Sequence, residues 1–377
     1  MELKEYRFDE VTINFDKKRI PLSGAQRKKR QGNFRYYGAQ GVIDHIDDFI
    51  FDGTYLLIAE DGENLKSKKQ NIAQVVEGQF WVNNHAHIVQ GNELCNTRYL
   101  CYLLNSMDLS GYVTGSAQPK LSQANLNAVT LFLPSITVQE RIVESLYLFD
   151  KKIAVNQKIN DNLYEMVNAY YTSLFKENDC EMTTVGNYAE RIYSGGTPMT
   201  SNAAYWNGTF GWFSSGETRN RFVISTEKTI TQAGIDNSST KLATKYDIVM
   251  ASAGQGFTRG QTSMLLIDTY VNQSVIVIKS ERNILPYLFW NLANRYDELR
   301  AISDSSSIRG SLTTKMIAAF EIPLAKAQSL QAFADFAWSV IHQIENNLLE
   351  NERLTALRDS LLPKLMSGEI DVSDIQL

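Results

Sequence analysis

Basic side chains are concentrated in one early stretch of the chain, residues 17–35, which contains no acidic residue. Four of them are consecutive: Arg27, Lys28, Lys29 and Arg30. The whole chain carries a formal net charge of -5, so its overall charge does not favour contact with polyanions. A local positive cluster can still contact phosphate groups. We therefore predict a phosphate-contacting surface here, with a solvated loop as the alternative.

Further polar residues in both halves of the chain could reach phosphates or the edges of bases. Arginine, lysine, asparagine, glutamine and threonine commonly make such contacts. The candidates in the first half are Arg35, Lys66, Lys68, Lys69, Gln118 and Lys120. Those in the second half, several beside glycines, are Thr218, Arg219, Asn220, Arg221, Gln255, Thr258, Arg259 and Arg309. For the three lysines at 66, 68 and 69, a solvated loop explains the sequence equally well.

Residues suited to catalysis or metal binding form no recognisable set in the sequence. There is no GxxxxGK[ST], HExxH or GxSxG motif, and no Asp/Asn-Pro-Pro-aromatic tetrad of the kind that amino-methyltransferases use. His85 and His87 are spaced to share one face of a strand, but no third ligand lies nearby, which favours structural histidines over a metal site. We therefore predict no catalytic residue and no metal.

Two long half-copies of one pattern carry these candidate residues. An apolar strand that runs into a small-residue turn occurs twice, as YLLIAEDG (55–62) and DIVMASAG (247–254). WVNNHAHIV, starting at Trp81, has its counterpart in YVNQSVIVI, starting at Tyr270. The ordered series of matches indicates an internal duplication.

After each apolar-proline step, at Pro134 and Pro323, the pattern changes from short β-like runs to a long helical periodicity. A glutamine follows five residues after each proline, at Gln139 and Gln328. Seam residues then recur at alternating spacings of four and three, which predicts a coiled coil. They are Ile142, Leu146, Phe149, Ile153, Asn156, Asn160, Leu163, Val167, Tyr170 and Leu174 in the first copy, and Leu330, Phe333, Ala337, Val340, Ile344, Asn347, Asn351, Leu354, Arg358 and Leu361 in the second.

Two asparagines interrupt each apolar seam, Asn156 and Asn160 in the first and Asn347 and Asn351 in the second. A buried amide is costly unless it is hydrogen-bonded, and a partner amide on a facing helix satisfies it in one register. We therefore predict that the two helices pack on each other, antiparallel, with the asparagines setting the register. The alternative is that all four face solvent on separate helices.

The predicted fold is mixed α/β, with two related globular domains separated by two long helices packed as an antiparallel coiled coil in a pseudo-twofold repeat. The domain boundaries follow from the pattern changes: a first globular domain over 1–134, a first helical region over 135–177, a second globular domain over 178–324, and a second helical region with a C-terminal tail over 325–377. A helix over 139–175 would be roughly 55 Å long. Rigid helices would suit a ligand with its own repeat, such as double-stranded DNA, whose major groove returns to one face about every 34 Å.

No signal peptide or membrane-spanning run is recognisable in the sequence, so we expect a cytoplasmic protein. The three cysteines show no CxxC spacing, which disfavours a disulfide framework and a structural zinc site.

The sequence resembles the specificity subunit of type I restriction-modification enzymes over essentially its whole length. In the globular domains, the resemblance rests on YYGAQGVIDHIDDFIFDGTYLLIAEDG (36–62), FWVNNHAHIV (80–89) and SGGTPMTSNAAYWNG (194–208). In the helical regions it rests on LPSITVQERIVESLYLFDKKIAVNQKIN (133–160) and LLPKLMSGEI (361–370).

The resemblance implies two target recognition domains, each reading one half of a split DNA sequence, and a helical pair that fixes the unread spacer. It also implies that catalysis and cofactors belong to partners. Two methyltransferase (modification) subunits would use S-adenosylmethionine, and restriction subunits that translocate and cleave DNA would use ATP and magnesium. Because recognition domains diverge within the family, the candidate DNA contacts above rest on charge and loop position alone.

Two other classes of function remain open from the sequence. One is a self-contained DNA methyltransferase or nuclease whose motifs have diverged. The other is a scaffold that holds two partners other than nucleic acid. Incubation of the protein with DNA, magnesium and methyl donor tests the first, and salt-sensitive DNA binding would count against the second.

Overall fold

The computed structural model describes residues 2–67, 70–115, 118–175, 181–254, 257–305 and 310–372. The chain forms two compact units, one made of Met1–Lys152 with Arg353–Leu377 and the other of Ile153–Glu352. Both contain helices and strands, which confirms the predicted mixed α/β class. The predicted division at residues 134, 177 and 324 follows helix ends rather than these units, and it stays a prediction.

The first unit contains eight strands and four short helices within its described residues, together with part of each long helix. The strands are β1 (Lys4–Arg7), β2 (Thr12–Asn14), β3 (Gln31–Gly38), β4 (Gly41–Ile46), β5 (Phe51–Ala59), β6 (Ala73–Val82), β7 (Ala86–Gly91) and β8 (Thr130–Leu133). The helices are α1 (Gly24–Lys28), α2 (Asn64–Ser67), α3 (Thr97–Ser106), α4 (Gln123–Asn127) and the start of α5 (Ile136–Leu174).

A six-stranded sheet of order β2-β7-β5-β6-β3-β4 forms the centre of the first unit. β3 and β6 run parallel, and the other neighbours run antiparallel. All four residues from Leu56 to Ala59 on β5 are buried, because both faces of this strand are covered. One face packs on α3 through Tyr99 and Leu104, and the other packs on the rings of Phe51 and Phe80.

The second unit contains eleven strands among its described residues. They are β9 (Met182–Thr184), β10 (Ala189–Ser194), β11 (Trp206–Phe213), β12 (Phe222–Val223), β13 (Lys228–Ile230), β14 (Lys241–Ala243), β15 (Ile248–Ala251), β16 (Thr262–Leu265), β17 (Thr269–Val271), β18 (Val275–Ser280) and β19 (Glu321–Pro323). Its helices are α6 (Val185–Tyr188), α7 (Gln232–Asp236), α8 (Leu285–Asn294), α9 (Tyr296–Ser305), α10 (Thr314–Ala318) and most of α11 (Ala327–Ser367).

Two larger sheets, one of order β10-β18-β15-β16-β12 and one of order β13-β11-β17-β14, form most of the second unit, and β19 and β9 form a separate pair. β15 is buried along its whole length. Ile248 and Met250 on one face share a cluster with Trp290 of α8, and Val249 on the other face packs with Phe213. In the second sheet, the parallel pair β11–β17 corresponds to the parallel pair β3–β6 of the first unit. Trp212 and Phe213 pair with Tyr270 and Val271, as Tyr36 and Tyr37 pair with Trp81 and Val82.

The internal duplication is visible in the order of elements. The series β5, β7, α3, α4, β8, α5 recurs as β15, β18, α8, α10, β19, α11, and β8 and β19 each pair with a short strand, β1 and β9. Asn83 and Asn272 show the match in detail. Each accepts a hydrogen bond at its side-chain oxygen from the backbone N–H two residues later, at 2.8 Å and 3.0 Å. The copies differ after the proline, where Gln139 is fully buried and Gln328 is exposed.

The four seam asparagines contact one another inside the second unit. Asn156 donates through Nδ2 to Oδ1 of Asn351 at 2.8 Å, and Asn347 donates to Oδ1 of Asn160 at 2.7 Å. Between these two pairs the residue number rises on α5, from 156 to 160, and falls on α11, from 351 to 347, so the two helices run antiparallel here. Asn156 is 1% exposed, which excludes the solvent-facing alternative.

Most of the predicted seam is buried or half-buried along both long helices. Arg358, the charged member of the second seam, lies in the first unit and donates to Asp150 of α5 at 2.6 Å. Within the part of the chain that the structure describes, no helix combines the length and apolar character needed to cross a bilayer.

Candidate nucleic-acid interface

The basic run 27–30 begins in α1, a five-residue helix with a capping box. Ser23 Oγ accepts from the Gln26 N–H at 3.3 Å, and the Gln26 side chain accepts from the Ser23 N–H at 2.8 Å. This reciprocal cap supports a helix too short to be stable alone. The four basic side chains are therefore displayed from a defined turn.

The two arginines of the run are held by their own domain. Arg27 pairs with Asp44 at 2.9 Å, donates to the Leu22 carbonyl at 2.7 Å and covers the ring of Tyr36 at 5.1 Å. Hydrogen bonds from Gln31 and Arg27 outweigh the effect of burial and hold the pKa of the Asp44 carboxyl below its usual range.

Arg30 is held in the same way, by Asp47 at 2.8 Å and by the ring of Trp81 at 5.0 Å. Lys28 and Lys29 are exposed, and neither has a partner among the described residues. The run therefore divides into two arginines that brace the domain and two lysines whose charge remains available.

The other candidates of the first half show a similar mixture. Arg35 donates to the Glu77 carbonyl at 2.7 Å, and Lys66 donates to the Gly115 carbonyl at 3.0 Å. Lys120 pairs with Glu60 at 3.3 Å while half of its side chain stays exposed, and Gln118 is exposed. Lys68 and Lys69 lie outside the described residues.

His87, near these residues, is structural. Its Nδ1 lies 2.6 Å from Asp16 Oδ2 and its Nε2 lies 2.8 Å from the Leu121 carbonyl, so both ring nitrogens face acceptors. An imidazole donates from both nitrogens only when it is protonated. Burial lowers the pKa of His87, but the hydrogen bonds to Asp16 and Leu121 and the charges of Asp16 and Glu60 outweigh burial and raise it.

In the second half, Glu217 fixes the loop that carries four candidates. Its buried carboxylate accepts from the Ser214 N–H at 2.8 Å and from the Glu227 N–H at 2.9 Å. Thr218 is 3% exposed and donates to the Ser215 carbonyl at 2.7 Å. The side chain therefore points into the fold in this structure, and its contact with DNA stays a prediction from the sequence.

The remaining residues of this loop are accessible. Arg219 pairs with Glu227 but is about half exposed, and Asn220 is exposed. Arg221 is exposed and covers the ring of Tyr164 on α5 at 4.2 Å. These three residues line a cleft of about 520 Å³ together with polar residues of α5, including Asn160 and Asp161.

The loop around residue 258 presents a residue that the sequence interpretation missed. Phe257 is 81% exposed, and it is the most exposed of the large apolar side chains that the structure describes. Arg259 is held by Asp304 and by the Gly310 carbonyl, so it braces the loop instead of extending from it. Thr258 is half-buried. Gln255 and Arg309 lie outside the described residues.

Phe257 could have been noticed from GQGFTRGQ, where an aromatic stands among glycines and polar residues. By the offset of the internal repeat, the counterpart of Phe257 in the first copy is Leu65, which is 3% exposed. The repeat alone would therefore have predicted a buried residue at position 257. In the described residues, no group of three or more His, Cys, Asp or Glu side chains could hold a metal ion.

The sequence matches the family described as "Type I restriction modification DNA specificity domain" twice, over residues 2–165 and 179–356. A Haemophilus influenzae protein provisionally named type I restriction enzyme specificity subunit S.HindORF215P is 35% identical over 138 residues, which cover 37% of this chain and 35% of the relative. The EcoR124I/EcoR124II specificity subunit of Escherichia coli is 26% identical over 253 residues, 63% of this chain and 61% of the relative.

The chain thus spans about a third of the first of these relatives and less than two thirds of the second. The fold is similar to that of the type I restriction-modification system S subunit from M. genitalium, with a TM-score of 0.59, 14% identity and coverage of 97% of this chain and 96% of that one.

Two duplicated α/β units that each carry part of an antiparallel helical pair define a class of two-domain proteins without a recognisable catalytic motif. The chain belongs to the type I restriction-modification DNA specificity family, because that family's domain accounts for both halves.

Proposed function

We propose that this chain is the DNA sequence-recognition subunit of a type I restriction-modification complex. Each globular domain reads one half of a bipartite DNA target, and the helical pair sets the unread spacer and docks two methyltransferase subunits. The observation that carries the proposal is the separate match of the DNA specificity family to each half of the chain.

The proposed DNA-contacting residues are those whose charge or polar groups remain accessible. They are Lys28, Lys29, Lys66, Gln118, Lys120, Arg219, Asn220 and Arg221, with Phe257 as an apolar contact. Lys68, Lys69, Gln255 and Arg309, outside the described residues, stay candidates on the strength of the sequence. Lysine and arginine would contact phosphates and position the domain, whereas Asn220 and Gln118 suit hydrogen bonding to base edges. Arg27, Arg30, Arg35 and Arg259 would act by supporting the surfaces that make these contacts.

The proposal assigns the chemistry to partner subunits. S-adenosylmethionine would bind the methyltransferase subunits, ATP and magnesium would bind the restriction subunits, and this chain would hold no cofactor. Cytoplasmic location also stays a prediction from the sequence.

Binding to a bipartite site in the assembled state tests the proposal. The methylome of a strain that carries this chain first identifies the candidate motif. The chain is then combined with its methyltransferase subunits, and its affinity is measured over a range of salt for duplexes with that motif and for shuffled duplexes. We expect tight binding of the motif that weakens steeply with salt. Equal affinity for shuffled duplexes would contradict the proposal. Methylation or cleavage by the isolated chain, given DNA, magnesium and methyl donor, would instead favour a self-contained enzyme.

A further inference from the structure

An aromatic residue occupies the same place on each long helix. Tyr147 on α5 and Trp338 on α11 each lie six residues before the isoleucine that opens the I-x-x-N pattern, Ile153 or Ile344. Neither belongs to the heptad seam that joins the helices. Each therefore faces the globular part of its own unit.

An arginine from the globular part covers each ring. The Arg98 guanidinium lies 4.3 Å from the centre of the Tyr147 ring, and that of Arg282 lies 4.2 Å from the centre of the Trp338 ring. Arg98 lies in the first turn of α3, whereas Arg282 follows β18. The two arginines therefore occupy positions that are not equivalent in the repeat, although each makes the same kind of contact with its long helix.

In the first unit, Arg98 also pairs with Glu77 of β6. Its guanidinium is thus held by the central sheet on one side and by the helix ring on the other. A guanidinium that pairs with a carboxylate and also lies over a ring is constrained from two directions, whereas the hydrophobic effect alone is non-directional.

In the second unit, Arg282 belongs to a larger cluster. Trp338 Nε1 donates to the Arg282 carbonyl at 2.8 Å, and the Arg282 guanidinium also covers the ring of Tyr246 at 5.0 Å. Beside it, Lys245 pairs with Glu345 of α11 at 2.5 Å.

Tyr246 adopts φ of +76°, a conformation that is costly for a bulky side chain. Its ring lies 4.8 Å from that of Trp338, edge to face. A strained backbone persists only where its surroundings hold it. Because Tyr246 directly precedes β15, these contacts together hold the start of that strand against α11.

We propose that Arg98 and Arg282 are positioning residues that fix the angle at which each globular domain is mounted on its long helix. The inference rests on the proposed function, in which that angle determines how sharply the protein discriminates spacer length. One base pair more or less moves a half-site by about 3.4 Å and rotates it by about 35°. A domain free to tilt would tolerate such a change.

The test uses the chain assembled with its methyltransferase subunits and duplexes whose spacer is of the preferred length or one base pair shorter or longer. We expect Arg282→Ala and Arg98→Ala to reduce the preference for the correct spacer by about three- to tenfold, while the recognised bases stay the same. Arg282→Lys, which keeps a cation over the rings, should restore most of the preference.

Arg191→Ala is the matched control, because Arg191 covers Tyr193 at 4.7 Å within one strand and touches no long helix through that contact. It should leave the spacer preference unchanged. If an arginine variant does not fold, Trp338→Leu and Tyr147→Leu approach the same contacts from the helix side and should broaden spacer tolerance equally.

An equal loss of affinity for all spacers would overturn the inference, because it would show a merely structural role. The proposed function would fail differently, through the absence of any bipartite preference in the unaltered assembly, and the inference would fall with it.

Discussion

At the scale of single residues, the positive charge of the run 27–30 serves two purposes. The guanidinium groups of Arg27 and Arg30 are committed to carboxylates and aromatic rings of the same domain, whereas Lys28 and Lys29 are free to contact a ligand. Arginine suits the first purpose because its planar group can pair and stack at once. In the proposed function, the lysines would therefore supply the electrostatic attraction to DNA, and the arginines would hold the surface that presents them.

Replacing Lys28 and Lys29 with alanine should weaken binding of the assembled complex to all DNA similarly. Each lost phosphate contact should reduce the slope of log affinity against log salt by about 0.9. Replacing Arg27 and Arg30 should instead lower the thermal stability of the chain, since Asp44 and Asp47 lose their partners. Binding titrations and thermal unfolding check both results, and a change in the recognised bases would show that the lysines read sequence.

The buried pair of His87 and Asp16 should make stability depend on pH. The folded pKa of His87 is raised above its ordinary 6.5, so its contribution is complete below that pH and is lost as pH rises through the folded value. Burial raises the pKa of Asp16, but its hydrogen bonds to His87 and the Ile88 N–H lower it overall below 3.8, so its contribution is lost only in stronger acid.

Urea unfolding of the native chain and of His87→Gln checks this pH dependence. The difference in unfolding free energy between them should be larger at pH 5.5 than at pH 8.5. Glutamine keeps a polar side chain but does not titrate, so a difference that is the same at both pH values would contradict the assignment.

At the scale of elements, the helical pair combines an apolar seam with a small set of amides. The seam was predictable from the sequence because heptad periodicity is local, and the asparagines stood out as exceptions to it. The partners of Arg27 and Arg30 were not predictable, since Asp44 and Asp47 reach them through the pairing of β3 with β4. The burial of Thr218 was not predictable for a similar reason, because local sequence does not reveal which loop residues point inward.

Asn156→Leu should destabilise the helical pair, by about 1–3 kcal/mol, because it leaves the buried Asn351 amide without its partner. Asn156→Leu combined with Asn351→Leu should recover much of that loss, since no unpaired amide remains. Chemical unfolding of the two variants measures the difference. Equal destabilisation by both would show that the amide pair itself is not what matters.

At the scale of the whole molecule, the duplication was predictable because it repeats in order along the chain, from 55–62 and 247–254 to the two prolines. The division of the second unit into two larger sheets was not, since β3 and β6 lie in one six-stranded sheet whereas their counterparts β11 and β17 lie in a separate four-stranded sheet. For the candidate interface, charge in the sequence indicated which segments to consider, whereas the exposure of each side chain depends on the fold and was not predictable.

If the long helices act as rigid spacers between the two globular domains, helix length should set the number of unread base pairs. A four-residue insertion between Asp161 and Val167 would disturb Tyr164 and Val167, which are buried in the core of the second unit. A seven-residue insertion in both helices, after Lys152 and after Glu352, preserves the heptad and adds about 10 Å. The methylome of a strain carrying this variant should show a spacer longer by about three base pairs. An unchanged spacer would contradict the hypothesis.

The first compact unit is discontinuous in the chain, and this affects how it folds during synthesis. Leu365 and Val372, close to the end of the described residues, are buried in the same core as Phe8 and Leu56. A ribosome adding about 5–20 residues per second needs about 10–40 s to make the 200 residues of Ile153–Glu352 that separate these two parts. During this interval the nascent first unit lacks its C-terminal part, so some of its apolar surface stays uncovered. The second unit is contiguous in sequence and is therefore completed first.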